Sequence, residues 1–123
     1  MKLRTKQFAL RVMKLVDALP KSTSGRVIAN QLCRSGTSVA ANYRAACRGR
    51  SKAEFISKLG NVEEEADESG LWMELIVEGE LLAKGKVLPL HDEAMQLATM
   101  MMASRITASR QIKNQKPKTK NPS

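Results

Sequence analysis

The side chains with usable chemistry in this chain are mostly arginines. Arg26, Arg34, Arg44 and Arg48, with Asn30 among them, form one polar stripe along a segment of helical periodicity, and Arg50 and Lys52 extend it into the next turn. Four arginines on one helical face, a cationic first segment and the C-terminal lysines Lys113, Lys116, Lys118 and Lys120 supply phosphate contacts without reading bases. Stacking aromatics are scarce, because Trp72 and Tyr43 are the obvious candidates and both read as structural. Binding of RNA or DNA through these residues is therefore expected to follow the backbone, to weaken with salt and to discriminate little between sequences. The competing reading is a solvated helix face whose arginines pair with Glu64 and Glu68 of another subunit.

Catalysis has little to stand on. His91 is the single histidine, flanked by Asp92 and Glu93 at the start of the last helix, and reads as an exposed first-turn residue. The run Glu63-Glu64-Glu65 suggests a carboxylate-bridged metal, but that site class needs Glu-x-x-His motifs on two helices and neither is present. Cys33 and Cys47 share the second helix, where fourteen residues put them about 21 Å apart, beyond disulfide reach. Two cysteines and one histidine also leave zinc short of ligands, so both thiols read as small, partly buried residues in a reducing compartment. With no Gly-rich phosphate loop, nucleophile elbow or paired-cysteine motif, the expectation is a protein without enzyme activity, metal or cofactor.

The elements that must position these residues are helices. Alanine, leucine and methionine are plentiful, aromatics are few, and no alternating run makes a convincing strand. Residues 2–19 predict a first helix with Phe8, Val12, Leu15 and Leu19 inward, ended by Pro20. A second runs from about Ser24 to Arg48 on a stripe of Ile28, Leu32, Val39, Tyr43 and Ala46, with Ser35-Gly36 permitting either a kink or a close helix approach. Gly49 closes it, and Ser51-Lys52-Ala53-Glu54 fits a capping box that opens the third helix, to about Leu82. After a loop at 83–89, a fourth helix is expected from Leu90 to Ile112, with Leu90, Ala94, Leu97, Met101, Ala108 and Ile112 inward. The fold class is all-α, an antiparallel up-and-down four-helix bundle over residues 1–112, followed by a disordered basic tail at 113–123.

The third helix organises the rest. Nine of the chain's twelve acidic residues lie between Ser51 and Leu82 against two lysines, which puts that segment at −7. In a protein of net charge +9 the remainder is then at +16. Phe55, Leu59, Val62, Ala66, Met73 and Ile76 form its core stripe, while Leu71, Leu75 and Leu82 align with Glu64 and Glu68 on the far side, and Trp72 lies beside them. A helix apolar on two faces needs two partners. Glu64, Glu68, Leu71, Trp72, Leu75 and Leu82 are therefore the expected subunit interface of a homo-oligomer, the alternative being a helix deeply buried within one subunit.

The run from Gln31 through Leu32-Cys33-Arg34-Ser35-Gly36-Thr37-Ser38-Val39-Ala40-Ala41-Asn42 to Tyr43 resembles the four helix bundle protein family, as do Ala46-Cys47-Arg48 and Ser51-Lys52-Ala53-Glu54-Phe55. So does Glu64-Glu65-Ala66-Asp67-Glu68-Ser69 with the following Trp72. That group is encoded by intervening sequences in bacterial large-subunit ribosomal RNA genes, is sometimes labelled a ribosomal protein, and is related to the accessory variability protein of diversity-generating retroelements. The resemblance implies a bundle that assembles into a ring-like homopentamer. In the retroelement relative it implies a basic barrel that meets nucleic acid and a reverse transcriptase. The matching positions here are Arg34, Ser38, Asn42, Arg48, Ser51, Phe55, Lys58, Glu64, Glu65, Glu68 and Trp72. The resemblance brings no catalytic residues with it.

The expected function is that of a non-enzymatic oligomer that binds RNA or DNA phosphates through a basic surface. The alternative is a protein–protein scaffold with no nucleic-acid role. No apolar run approaches the ~20 residues that span a bilayer, and Met1-Lys2-Leu3-Arg4 lacks a signal peptide's apolar stretch, so a cytoplasmic protein with no membrane contact is expected.

Overall fold

The computed structural model describes residues 1–115, which form four helices: α1 (Lys2–Asp17), α2 (Thr23–Cys47), α3 (Lys52–Glu78) and α4 (Lys84–Gln115). Each packs on its sequence neighbours, α1 on α2, α2 on α3 and α3 on α4, while α1 and α4 close the ring along a thin seam. That is the up-and-down bundle expected from short connections.

The inward stripes are those of the sequence reading. Phe8, Val12, Leu32, Val39, Leu59, Val62, Met73, Ile76, Leu97 and Met101 are all at most 1% exposed, whereas Tyr43, Phe55 and Ile112 are only half-buried. Gly36 marks close approach: a Cβ there would lie 2.7 Å from both methyls of Val12, so α1 meets α2 at that turn. One polar contact crosses the core, where the Ser35 and Ser69 hydroxyls lie 2.9 Å apart and are backed by the carbonyls of Leu32 and Glu65. Both serines are fully buried, and the backbone carbonyls leave neither hydroxyl orphaned.

Three boundaries differ from expectation. The α3 N-terminus forms as predicted, Ser51 Oγ accepting the Glu54 N–H at 3.1 Å, but the Glu54 carboxylate reaches the N–H of Arg50 rather than that of Ser51. The far end of α3 falls at Glu78, not Leu82. Leu81 N–H donates to the Ile76 carbonyl and Glu80 N–H to that of Val77, the paired bonds of a Schellman motif. Its left-handed position is taken by Glu80, at φ 58°, and not by the neighbouring Gly79. A side chain in that conformation costs about 1–2 kcal/mol, so the tight α3–α4 turn is held by its packing.

Helix α4 starts six residues earlier than expected, with Pro89 inside it. Val87 is fully buried and Leu90 nearly so, and they continue the inward row of Ala94, Leu97 and Met101. Burying each large side chain contributes about 1.5–3 kcal/mol. Pro89 forfeits the one hydrogen bond its nitrogen would make, to the carbonyl of Gly85. At the other end α4 continues through Gln115, so Lys113 belongs to its last turn and not to a tail. The remaining residues of the expected tail, 116–123, lie outside the described residues.

Candidate nucleic-acid interface

The C-terminal turns of α2 carry Arg44 and Arg48, one turn apart on the same side. Antiparallel packing lays the first turns of α1 beside them, bringing up Lys2 and Lys6. The α2–α3 turn and the start of α3 add Arg50 and Lys58. These six cations line a cleft of about 680 Å³ whose floor is built of small residues, Thr5, Ala40, Ala41 and Ala45. Glu54 is the single carboxylate in its wall, and its Oε2 accepts the N–H of Arg50 at 3.4 Å. The net charge of the lining is therefore strongly positive, and the small floor leaves room for a bulky anion to reach the guanidinium groups. No aromatic side chain lines the cleft. The lining thus offers positive charge to an anion but no aromatic face on which a base could stack.

The other residues of the arginine stripe have different surroundings. Arg26 is exposed near the opposite end of α2, eighteen residues and about 27 Å from Arg44. Arg34 is committed within its own chain. Its guanidinium donates to Glu65 at 3.0 Å and also to Glu68, whose carboxylate accepts the Trp72 indole N–H at 3.2 Å. The bond from Glu65, with a smaller contribution from Glu68, holds the Arg34 guanidinium even more firmly protonated than usual. Arg34 thus fastens α2 to the acidic helix within its own chain. Lys52 turns away from the cleft and donates to Gln111 of α4 at 2.9 Å. Lys113 is exposed on α4, and Lys116, Lys118 and Lys120 lie outside the described residues.

Most of the helix–helix ion pairs run through α3. Glu63 accepts from Arg105 at 3.0 Å, and Glu74 lies 2.8 Å from His91, which is half-buried against α3 and not a free first-turn residue. Across the thin seam, Arg4 grips both oxygens of Glu93, at 2.7 and 2.8 Å. Those bonds hold the Glu93 carboxyl below the usual glutamate range against an opposing push from burial, with Arg11 adding a weaker pull.

Of the expected interface, Leu71 and Leu75 are 48% and 40% exposed, and Glu64 is exposed beside them. Trp72 is instead half-buried against the core with its N–H satisfied by Glu68. Leu82 falls in the α3–α4 connection, half-buried on the core, because α3 has already ended. Cys33 is half-buried as expected, but Cys47 is exposed at the end of α2. Beside it, burial and the Cys47 thiol push the Tyr43 hydroxyl up from its ordinary value.

Sequence reasoning did not single out Lys2, Lys6 or, beyond the resemblance, Lys58. The i, i+4 spacing of Lys2 and Lys6 marks a cationic stripe, but only the packing of α1 on α2 puts it beside Arg44 and Arg48. Among the described residues no three His, Cys, Asp or Glu side chains gather into a metal-binding group, and no helix is long and apolar enough to cross a membrane.

No curated protein matches this chain. Its structure is similar to the 1.70 Å crystal structure of a protein of unknown function from the S23 ribosomal protein family of Bacteroides thetaiotaomicron VPI-5482. The two superpose with a TM-score of 0.79 and share 29% sequence identity, over 85% of this chain and 96% of the other. The model of the 23S rRNA-intervening sequence proteins matches residues 2–103, which takes in all of α1, α2 and α3 and most of α4. With that span matched and the bundle shared, this chain belongs to the 23S rRNA-intervening sequence protein family.

Proposed function

We propose that this protein is a non-enzymatic nucleic-acid-binding bundle that takes hold of a phosphate backbone in the cleft between α1, the end of α2 and the start of α3. The observation that carries this reading is the gathering of Lys2, Lys6, Arg44, Arg48, Arg50 and Lys58 around one cleft with a single opposing carboxylate. Cations that are not paired within a fold leave their counterions free to be exchanged for phosphate, and release of condensed counterions from the nucleic acid then drives binding. RNA is the first ligand to try, since the family's name associates its members with intervening sequences of 23S rRNA. The absence of stacking side chains in the lining supports recognition without sequence preference.

Self-association of the chain through the outward side of α3 is the second part of the proposal, supported by the exposure of Leu71 and Leu75 beside Glu64. The same exposed side is what favours the scaffold reading, in which the partner is a different protein.

The test is fluorescence anisotropy with a labelled mixed-sequence RNA and the double variant Arg44→Glu, Arg48→Glu. At about 1.4 kcal/mol for each charge-assisted contact, the variant should bind about a hundredfold more weakly. Unchanged affinity, with the helical circular dichroism intact, would remove the cleft from the account.

A further inference from the structure

The cationic cleft is short for a surface that follows a strand. Its lining takes α2 from Ala40 to Arg48, about 12 Å of helix, and about one turn each of α1 (Lys2 to Lys6) and α3 (Glu54 to Lys58). Sites that track a single strand without sequence preference cover about 4–16 nucleotides. Into this short length are drawn six cations against one carboxylate, which leaves a surplus of +5. Among the described residues, none of the six makes an ion pair within the chain. Two helix starts, those of α1 and α3, and one helix end, that of α2, also meet here, so the balance of helix dipoles is positive. A strand laid through the cleft at helical spacing brings one charge for about every 3.4 Å, or about three to four over this length. Part of the surplus is then left unmatched.

The kind of cation matters as well as the number. Three of the six are arginines: Arg44 and Arg48 at the end of α2, and Arg50 in the turn to α3. A guanidinium fork pairs with two phosphate oxygens at once, whereas a lysine acts as a point charge. An internal phosphodiester offers such forks two free oxygens and a single charge. A phosphomonoester at the end of a strand offers three oxygens and, with its second pKa at about 6, close to two charges at neutral pH. We infer that the cleft takes the phosphorylated end of a nucleic-acid strand. The terminal phosphate lies among Arg44, Arg48 and Arg50, and the phosphodiesters behind it pass between Lys2, Lys6 and Lys58. Bases need no pocket in this arrangement, which fits a lining without aromatic side chains. The inference rests on the reading of the cleft as a nucleic-acid site and narrows its ligand from any stretch of backbone to a strand end.

The experiment is fluorescence anisotropy on the full-length protein with one short mixed-sequence RNA, labelled at an internal position and prepared with three sets of ends. These are hydroxyls at both ends, a 5′-phosphate, and a 3′-phosphate. At about pH 8 one of the phosphorylated strands should bind about tenfold more tightly than the hydroxyl-ended one, the effect of one added charge-assisted contact. The preference should shrink towards about pH 5.5, where the terminal phosphate takes up its second proton and carries no more charge than a diester. The charged groups facing it are the six cations and Glu54, whose residue classes titrate outside that range. The variant Arg44→Lys, Arg48→Lys, Arg50→Lys keeps the charge and removes the forks. With its circular dichroism unchanged, it should hold the hydroxyl-ended RNA as the wild type does and lose the preference. Equal affinity for all three RNAs, or a preference undiminished in the lysine variant, would leave the cleft a backbone site and overturn the inference. A nucleoside monophosphate that competes as well as the phosphorylated strand would make the ligand a free nucleotide and overturn it too. Failure of every RNA to bind would end the nucleic-acid reading itself.

Discussion

Arg34 and the Arg44–Arg48 pair stand on one helix, within four turns of each other, and their situations are opposite. Around Arg34 the neighbouring helix presents Glu65 and Glu68, and the guanidinium is used up joining α2 to α3. Around Arg44 and Arg48 the neighbours are Lys2, Lys6, Arg50 and Lys58, with Glu54 alone on the other side. The same residue type is a clamp in one place and lines a cleft of like charges in the other. What separates them is the register of α3: its acids begin in earnest at Glu63, opposite the middle of α2, and are nearly absent opposite its end.

That contrast sets the order of expected effects on binding. Reversing Arg44 and Arg48 should cost about a hundredfold in RNA affinity, as above. Reversing Arg34 should leave RNA affinity where it is, and should instead lower the thermal midpoint, because Glu65 and Glu68 would then face a third carboxylate. Anisotropy and thermal melting on the one Arg34→Glu protein check both halves. A large loss of binding without a loss of stability would erase the distinction drawn here.

The seam between α1 and α2 offers a sharper control on stability. Gly36→Val places a branched side chain where even a Cβ would lie 2.7 Å from the Val12 methyls. Overpacking of this kind costs about 1–3 kcal/mol, read as a lowered midpoint in urea at unchanged slope. The cleft cations from α1 depend on that contact, so RNA affinity should fall with it, though less than in the Arg44–Arg48 variant.

The smallest effect belongs to the α1–α4 seam and depends on pH. Arg4 holds the Glu93 carboxyl below the value it takes in an unfolded chain. A depressed carboxyl stabilises the fold above that unfolded value, and the contribution is lost as pH falls through the lower folded value. Thermal melts of the wild type should therefore lose stability on acidification across this window, and Arg4→Met should lose less over the same range. Equal acid sensitivity in both proteins would show that the pair does not contribute. Because Arg4 is partly exposed, the difference should also shrink in high salt.

Much of this was legible in the sequence, and the failures have physical causes. Helical periodicity gave the bundle and nearly every inward residue, because the apolar stripes are long and uninterrupted. Boundaries failed where packing outweighed local preference. Pro89 looked like the end of a loop, but Val87 and Leu90 bury well enough to carry α4 through it. α3 looked uninterrupted to about Leu82, but it ends at Glu78, where Glu80 takes the left-handed position and drops Leu82 off the α3 face. The arginine stripe was visible, whereas the division of its members was not, since only the register of α3 against α2 decides which arginine meets a carboxylate. Lys2 and Lys6 belong to the cleft through the pairing of α1 with α2, which no single segment reveals.

The salt dependence of RNA affinity tests the central claim most directly. Binding constants for the wild type and for Arg44→Ala, Arg48→Ala are measured between about 50 and 200 mM salt. The account predicts a steep linear fall of log K with log salt for the wild type, at a slope of about −0.9 per phosphate contacted, and a slope shallower by about two in the variant. Identical slopes for the two proteins, or wild-type affinity indifferent to salt, would contradict it.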